Sequence, residues 1–395
     1  MRNARLTTLP EFAFARLARL LAGITPATAG PDLSIGDPKG EPPAWLADRI
    51  VEAAAGFNSY PPPAGTPELR AAIARWLERR FAVTLDAERE ILPVAGTKEA
   101  LHLLASVVVG PTADGPPPAV LMPNPLYQVY LGAAVMAGAE PVPLAADAST
   151  GFLPDLEAIP EATLARTQLF YLCAPSNPQG RAAGAAYWRR ALELARAYDF
   201  VLVADECYSE IYHGEAPTGA LEAAVATTAR LDHLVVFNSL SKRSNAAGLR
   251  VGFMAGDARV LARTLKVRRY GGATIPRPLQ HAAVGLFDDE EHVAAIRRGY
   301  TTRVDAALER LDGRFGAFRP DGGFFLWLDV GDGERAARTL YARAGVKALP
   351  GRYLALADAG GRTPADRYLR LALVHDLETT LAAVDGLVTQ LEPAA

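Results

Sequence analysis

The chain has 395 residues, of which 50% are hydrophobic and 22% charged; that balance excludes a disordered protein, which could not bury enough apolar surface to offset the entropy of ordering. Lys and Arg number 41 against 44 Asp and Glu, a net charge of −3, too even for nucleic acid or an anionic membrane as the main partner.

At the N-terminus, residues 11–23 place Phe12, Leu17, Leu20 and Leu21 around Arg16 and Arg19. The two arginines interrupt any signal-peptide core, so the segment reads as an amphipathic helix of the mature protein. No apolar run reaches the ~18 residues of a membrane span. Thr66-Pro67-Glu68-Leu69 supplies a cap, a proline at the first helical position and an acid in the first turn; Leu69, Ile73, Trp76 and Leu77 continue at helical spacing.

Strand-like and helical runs then alternate. Ile91–Val94 precedes a helix carrying Leu101, Leu104 and Val108; 120–122 precedes a helix from about Leu126; 169–173 precedes the helix Ala185–Ala197. Apolar runs at 200–204, 234–237 and 249–254 follow. Short apolar strands separated by helices predict an α/β unit whose mostly parallel sheet is buried on both faces. Beyond about 275 the pattern changes. Long charged helices (Glu291–Leu311 and 377–391) flank short strands at 324–329 and 368–373, predicting a smaller α+β domain completed by the N-terminal helix. The expected division is a large domain over 45–275 and a small one from 1–44 and 276–395.

Ligands of open α/β sheets bind beyond the carboxyl ends of the strands, and the residues expected there are chemically rich. The run at 169–173 leads into Asn177, that at 200–204 into Asp205 with Tyr208 three residues on, and that at 234–237 into Ser239, Ser241 and Lys242. Ile91–Val94 leads into Gly96-Thr97-Lys98 at a helix start. One sheet edge thus presents an amide, a carboxylate, a phenol, hydroxyls, an amine and a helix N-terminus suited to an anion. The two cysteines, Cys173 and Cys207, form no C-x-x-C pair; they read as small buried side chains in a reducing cytoplasm, not zinc ligands or a disulfide framework. The six histidines have no ligand spacing, so no metal is expected.

This set resembles the class I/II aminotransferases, fold-type I enzymes that use pyridoxal 5'-phosphate. The resemblance rests on Ser34-Ile35-Gly36-Asp37-Pro38, Asn58-Ser59-Tyr60-Pro61-Pro62, the run SLSKRSNAAGLRVGF at 239–253, GGFFLW at 322–327 and Arg370 within LRLALV at 369–374. It implies that Lys242 binds the cofactor aldehyde covalently and then moves the substrate proton. Asp205 is implied to pair with the pyridine nitrogen, which keeps the ring an electron sink. Asn177 and Tyr208 are implied to reach the phenolic oxygen, and Tyr127 to stack on the ring. Gly96, Thr97, Lys98, Ser239, Ser241 and Arg250 are implied to hold the phosphate, with Tyr60 contributed by the neighbouring subunit of a homodimer with shared active sites. Arg370 is implied to clamp the substrate α-carboxylate, with the backbone of Gly36 and the Asn177 side chain beside it.

Within that family the sequence is similar to bacterial succinyldiaminopimelate aminotransferases, at 34–39, 96–101, 242–250 and 349–354. The implied reaction moves an amino group between L-glutamate and N-succinyl-2-amino-6-oxopimelate, in lysine biosynthesis. Its several carboxylates require further cations, for which Lys98, Arg243 and Arg352 are the candidates. An aspartate, aromatic or alanine aminotransferase, or a β-lyase, would share the same cofactor residues. A cofactor-binding transcription regulator is disfavoured, because the pattern begins by Ser34 and leaves no room for a DNA-binding module.

Overall fold

A computed structural model describes residues 3–112, 115–228 and 230–391. Seven strands build the large sheet: β1 (Ile91–Val94), β2 (Ala119–Asn124), β3 (Glu140–Ala145), β4 (Thr167–Cys173), β5 (Val201–Asp205), β6 (Leu234–Ser239) and β7 (Gly252–Gly256). Their order is β1-β7-β6-β5-β4-β2-β3. Pairs from β3 through β2, β4 and β5 to β6 are parallel; β7 runs antiparallel between β1 and β6. Helices cover both faces, so the strands carry near-continuous apolar runs. One face packs around Trp76, Phe170, Trp188 and Phe253, the other around Leu101, Tyr130, Tyr171 and Phe237.

A second, antiparallel sheet has the order β8-β10-β9, from β8 (Phe325–Asp329), β9 (Leu349–Pro350) and β10 (Tyr368–Ala372). Its core gathers Val304, Ala307 and Leu311 from the helix Glu291–Leu311 and Ala383, Val384 and Leu387 from the helix Leu377–Gln390. The N-terminal helix Ala13–Leu21 buries Ala13, Leu17 and Leu21, a four-residue repeat on one face, against Leu349, Tyr353 and Leu354. The helix Arg277–Asp288, which the expected boundary near 275 assigns to the smaller unit, buries Ala282, Ala283, Leu286 and Phe287 in the core of the large sheet.

Two strand expectations are corrected. Residues 249–254 are not one strand: Leu249 ends a short 3-10 turn, Arg250 takes a left-handed backbone (φ 56°), and pairing starts only at Gly252. The strand β3 was not expected, because Pro141 and Pro143 interrupt it. Proline is tolerated there because β3 lies at the sheet edge, where one side of its backbone needs no partner.

Register brings the chemistry to one edge. Cys173 lies opposite Asp205, and Asp205 opposite Phe237. Because β7 is reversed, its first residue, Gly252, pairs with both Ser239 and Val94 at that same edge.

Candidate active site

A cavity of about 530 Å³ opens at this edge, between the large sheet, the N-terminal segment and β8–β10. Its wall includes Gly36, Thr97, Lys98, Tyr127, Asn177, Asp205, Tyr208, Ser239, Ser241, Lys242, Arg250 and Arg370. The structure therefore gathers residues spread over more than 330 positions around a single space.

Asp205 ends β5 and is 5% exposed. Burial pushes its carboxyl pKa up, while hydrogen bonds from Tyr130 and Cys207 pull it back. Tyr130 Oη donates to Asp205 Oδ2 at 2.6 Å, and the Cys207 amide reaches Oδ1 at 3.4 Å. Tyr130 in turn stacks on Tyr171, with ring centroids 4.7 Å apart. A carboxylate held this way at a cavity wall is costly unless a cation or a proton donor faces it.

Lys242 sits on a one-turn helix, Leu240–Arg243, whose cap Ser239 accepts from the Ser241 amide at 3.1 Å. Its Nζ donates to the Gly36 carbonyl at 2.6 Å and lies 5.4 Å from the Phe324 ring centroid. Burial lowers the amine to about 8 from the ordinary 10.5. The Arg370 and Arg250 charges act in the same direction, and Asp37 and Cys207 oppose them. Near neutral pH such an amine is still mostly protonated, but its neutral, nucleophilic fraction is far larger than that of an ordinary lysine.

The anion end is built from three loops. Gly96 precedes the helix Thr97–Val108 with φ +84°, and a Cβ at this position would stand 1.9 Å from Arg250 Nη2. Only glycine gives the guanidinium that space. Arg250 is fixed by Nη1 donating to the Ala247 carbonyl at 2.8 Å. The Ser239 and Ser241 hydroxyls meet at 2.8 Å.

At the opposite end, Arg370 projects from β10. Its Nη1 donates to Asn177 Oδ1 at 2.9 Å and its Nη2 to the Ser34 carbonyl at 2.6 Å; the guanidinium lies 4.4 Å from the Phe325 ring centroid. Burial lowers its pKa to about 10, and its buried Nε has no partner among the described residues. Tyr208 packs edge-on against Phe324 and Phe325, and burial raises its phenol pKa well above the ordinary value.

Four candidates lie elsewhere. Gly96 stands behind the wall and acts through the room it leaves for Arg250. Tyr60 is 97% exposed and does not line this chain's cavity. Arg243 corrects an expectation. It is 1% exposed, over Trp76 and Phe287 at 5.0 and 5.4 Å, with Nη2 on Glu290 at 3.1 Å; it faces the core and not the cavity. Arg352 lines an adjoining pocket instead. Sequence reasoning missed Tyr130, although its place one helical turn after Tyr127 was the available signal.

The sequence profile of aminotransferase class I and II matches residues 30–387. The chain belongs to this family. A crystal structure of an aminotransferase from Neisseria meningitidis is 39% identical, with a TM-score of 0.94 over 99% of this chain and all of that one. An LL-diaminopimelate aminotransferase from Desulforudis audaxviator is 32% identical over 97% of this chain and 96% of its own length. A structure of a probable N-succinyldiaminopimelate aminotransferase from Thermus thermophilus is 27% identical, with a TM-score of 0.84 over 96% and 100% of the two chains.

This aminotransferase family depends on pyridoxal 5'-phosphate, and the cavity fits it: a buried carboxylate, a depressed amine and an arginine-lined anion end share one wall. The bound cofactor supplies an electron sink for charge that develops at the substrate Cα. Among the described residues no helix is long and apolar enough to cross a membrane, and no cluster suits a metal ion.

Proposed function

We propose that this aminotransferase takes its amino group from L-glutamate and gives it to a long keto acid of the diaminopimelate type, with N-succinyl-2-amino-6-oxopimelate as the acceptor. Lys98 carries this reading. Apart from Lys242, Arg250 and Arg370, it is the only Lys or Arg on the cavity wall among the described residues. It stands in the first turn of the helix Thr97–Val108, where a cation opposes the helix dipole and gains from a facing anion. The names of the Thermus thermophilus and Desulforudis audaxviator proteins support the diaminopimelate skeleton.

In this account Arg370 holds the substrate α-carboxylate and so aims the Cα–H bond. Lys242 Nζ would be the group that takes that proton, as general base. Asp205 keeps a proton on the cofactor nitrogen, held by Tyr130. Arg250, Ser239, Ser241 and the amides after Gly96 hold the phosphate. Tyr127 and Tyr208 cover the ring and its phenolic oxygen, the latter with Asn177. Tyr60 is proposed to complete the phosphate site of a partner subunit, which makes a homodimer the working form.

A second reading, transamination of LL-diaminopimelate itself, is favoured by the higher identity of the Desulforudis audaxviator relative. A steady-state screen of N-succinyl-2-amino-6-oxopimelate against unacylated 2-amino-6-oxopimelate, the keto acid that yields diaminopimelate, and against oxaloacetate, phenylpyruvate and pyruvate, tests the choice. Turnover is expected to be highest with the succinylated acid and to fall at least tenfold in Lys98→Ala, while the glutamate half-reaction changes little. Equal losses with both would remove Lys98 from acceptor recognition.

A further inference from the structure

A second pocket of about 170 Å³ adjoins the main cavity: Pro10, Leu126, Gln128, Leu131 and Leu354 line both spaces. It contains two guanidinium groups, those of Arg16 and Arg352. Their charge environments differ. Arg352 is already balanced: Nη1 meets Glu334 Oε2 at 3.3 Å, Nε lies 3.5 Å from Asp366 Oδ1, and Nη2 donates to the Gly361 carbonyl at 3.4 Å. The side chain of Arg16, on the N-terminal helix, forms no ion pair or hydrogen bond among the described residues. Its guanidinium carbon lies over the Tyr353 ring, 4.0 Å from the centroid.

The chamber around Arg16 is rigidly built. The Tyr353 hydroxyl donates to Glu334 Oε1 at 2.6 Å, which fixes the ring beneath the guanidinium. Gln128 joins the two walls, its Nε2 on the Tyr353 carbonyl at 3.2 Å and its Oε1 accepting from the Ala13 amide at 3.3 Å. Asn124 pairs twice with the Leu356 backbone, both at 2.9 Å. With no partner for its N–H groups among the described residues, the Arg16 guanidinium keeps its fork free, and a planar carboxylate matches that fork with two parallel hydrogen bonds. The short apolar wall between the two spaces, from Leu126, Leu131 and Leu354, suits methylene groups between two charged ends.

We propose that this side chamber is the subsite for the carboxylate farthest from the reacting carbon, the terminal carboxylate of a dicarboxylic acyl chain, and that Arg16 binds it. The proposal rests on the long-acceptor reading above and assigns that acceptor's acyl end to one residue. Arg352 then acts as a positioning residue, holding Glu334 and through it Tyr353. Glutamate has no acyl chain, so on this assignment Arg16 takes no part in its recognition.

Differential binding to the holoenzyme tests this separately from turnover. Calorimetric titration would compare N-succinyl-LL-diaminopimelate with LL-diaminopimelate, which has the same skeleton without the acyl chain, in the wild type, Arg16→Ala and Arg16→Lys. The wild type is expected to bind the succinylated compound at least tenfold more tightly. Arg16→Ala should abolish that preference, Arg16→Lys should restore part of it, and neither should change the rate of the glutamate half-reaction. Equal wild-type affinity for the two compounds, or a preference that survives in Arg16→Ala, would overturn the proposal. An acceptor screen that selected a different keto acid would sink the proposed function while leaving this binding difference to be read on its own. The glutamate half-reaction reports whether each variant is folded.

Discussion

Tyr130 Oη stands 2.6 Å from Asp205 Oδ2, within a stack that continues to Tyr171. A hydrogen bond to a charged acceptor is worth about 1.5–3 kcal/mol. Removing it in Tyr130→Phe leaves burial to push the Asp205 carboxyl further up. The group then binds its proton at higher pH, so activity that needs the carboxylate fails sooner on acidification. The acid limb of the kcat/KM profile for glutamate should move to higher pH. An unmoved limb would show that Tyr130 only packs.

Gly96 and Arg250 form a second dependent pair. Gly96→Ala places a methyl group where the guanidinium lies, at a backbone angle of +84° that alanine adopts poorly. The variant should hold the cofactor at least tenfold more weakly, read by equilibrium dialysis of the cofactor from the holoenzyme. Gly110→Ala, where nothing stands within 4 Å of the added carbon, should behave as the wild type.

Arg370→Lys keeps the charge but loses the fork that spans Asn177 and the Ser34 carbonyl. A loss of about 2 kcal/mol or more is expected, some 30-fold in kcat/KM for glutamate. The absorbance of the resting holoenzyme should stay unchanged, because the cofactor residues are intact. Full activity in the variant would mean that the α-carboxylate binds elsewhere.

The depressed Lys242 amine also makes the stability of the cofactor-free protein depend on pH. Below pH 8 the fold carries a buried cation that the unfolded chain would solvate. Between about 8 and the ordinary 10.5 the unfolded chain binds more protons than the folded one, so stability rises through that window. The contribution is on the order of 3 kcal/mol. Lys242→Met should lack it. Denaturant melts of the two proteins at pH 7.5 and 10 give the difference directly, since Cys173, Cys207 and the tyrosines titrate in both. Parallel curves would mean that the amine is solvated.

Much of the site was legible because strand ends concentrate it. Asp205 terminates an apolar run and Lys242 follows another by a fixed short interval, so alternating strands and helices were enough to place them on one edge. Arg243 was misplaced for a reason local spacing cannot reveal. It follows Lys242 on a one-turn helix, yet its side chain points oppositely, toward Trp76, Phe287 and a Glu290 supplied by a distant segment. Arg250 broke an expected strand because a left-handed residue leaves no mark in hydrophobic periodicity. The strand β3 was hidden by its own prolines, which only knowledge of the sheet edge makes acceptable. In the sequence Arg16 is a charged position on an amphipathic helix, and its place over the Tyr353 ring appears only once the chain is folded.

The most direct test is chemical. Borohydride reduction of the purified holoenzyme, followed by proteolysis and mass spectrometry, reports which amine carries the cofactor. The account predicts one pyridoxyl group per chain, on the peptide containing Lys242. A label on another lysine, or none at all, would contradict it.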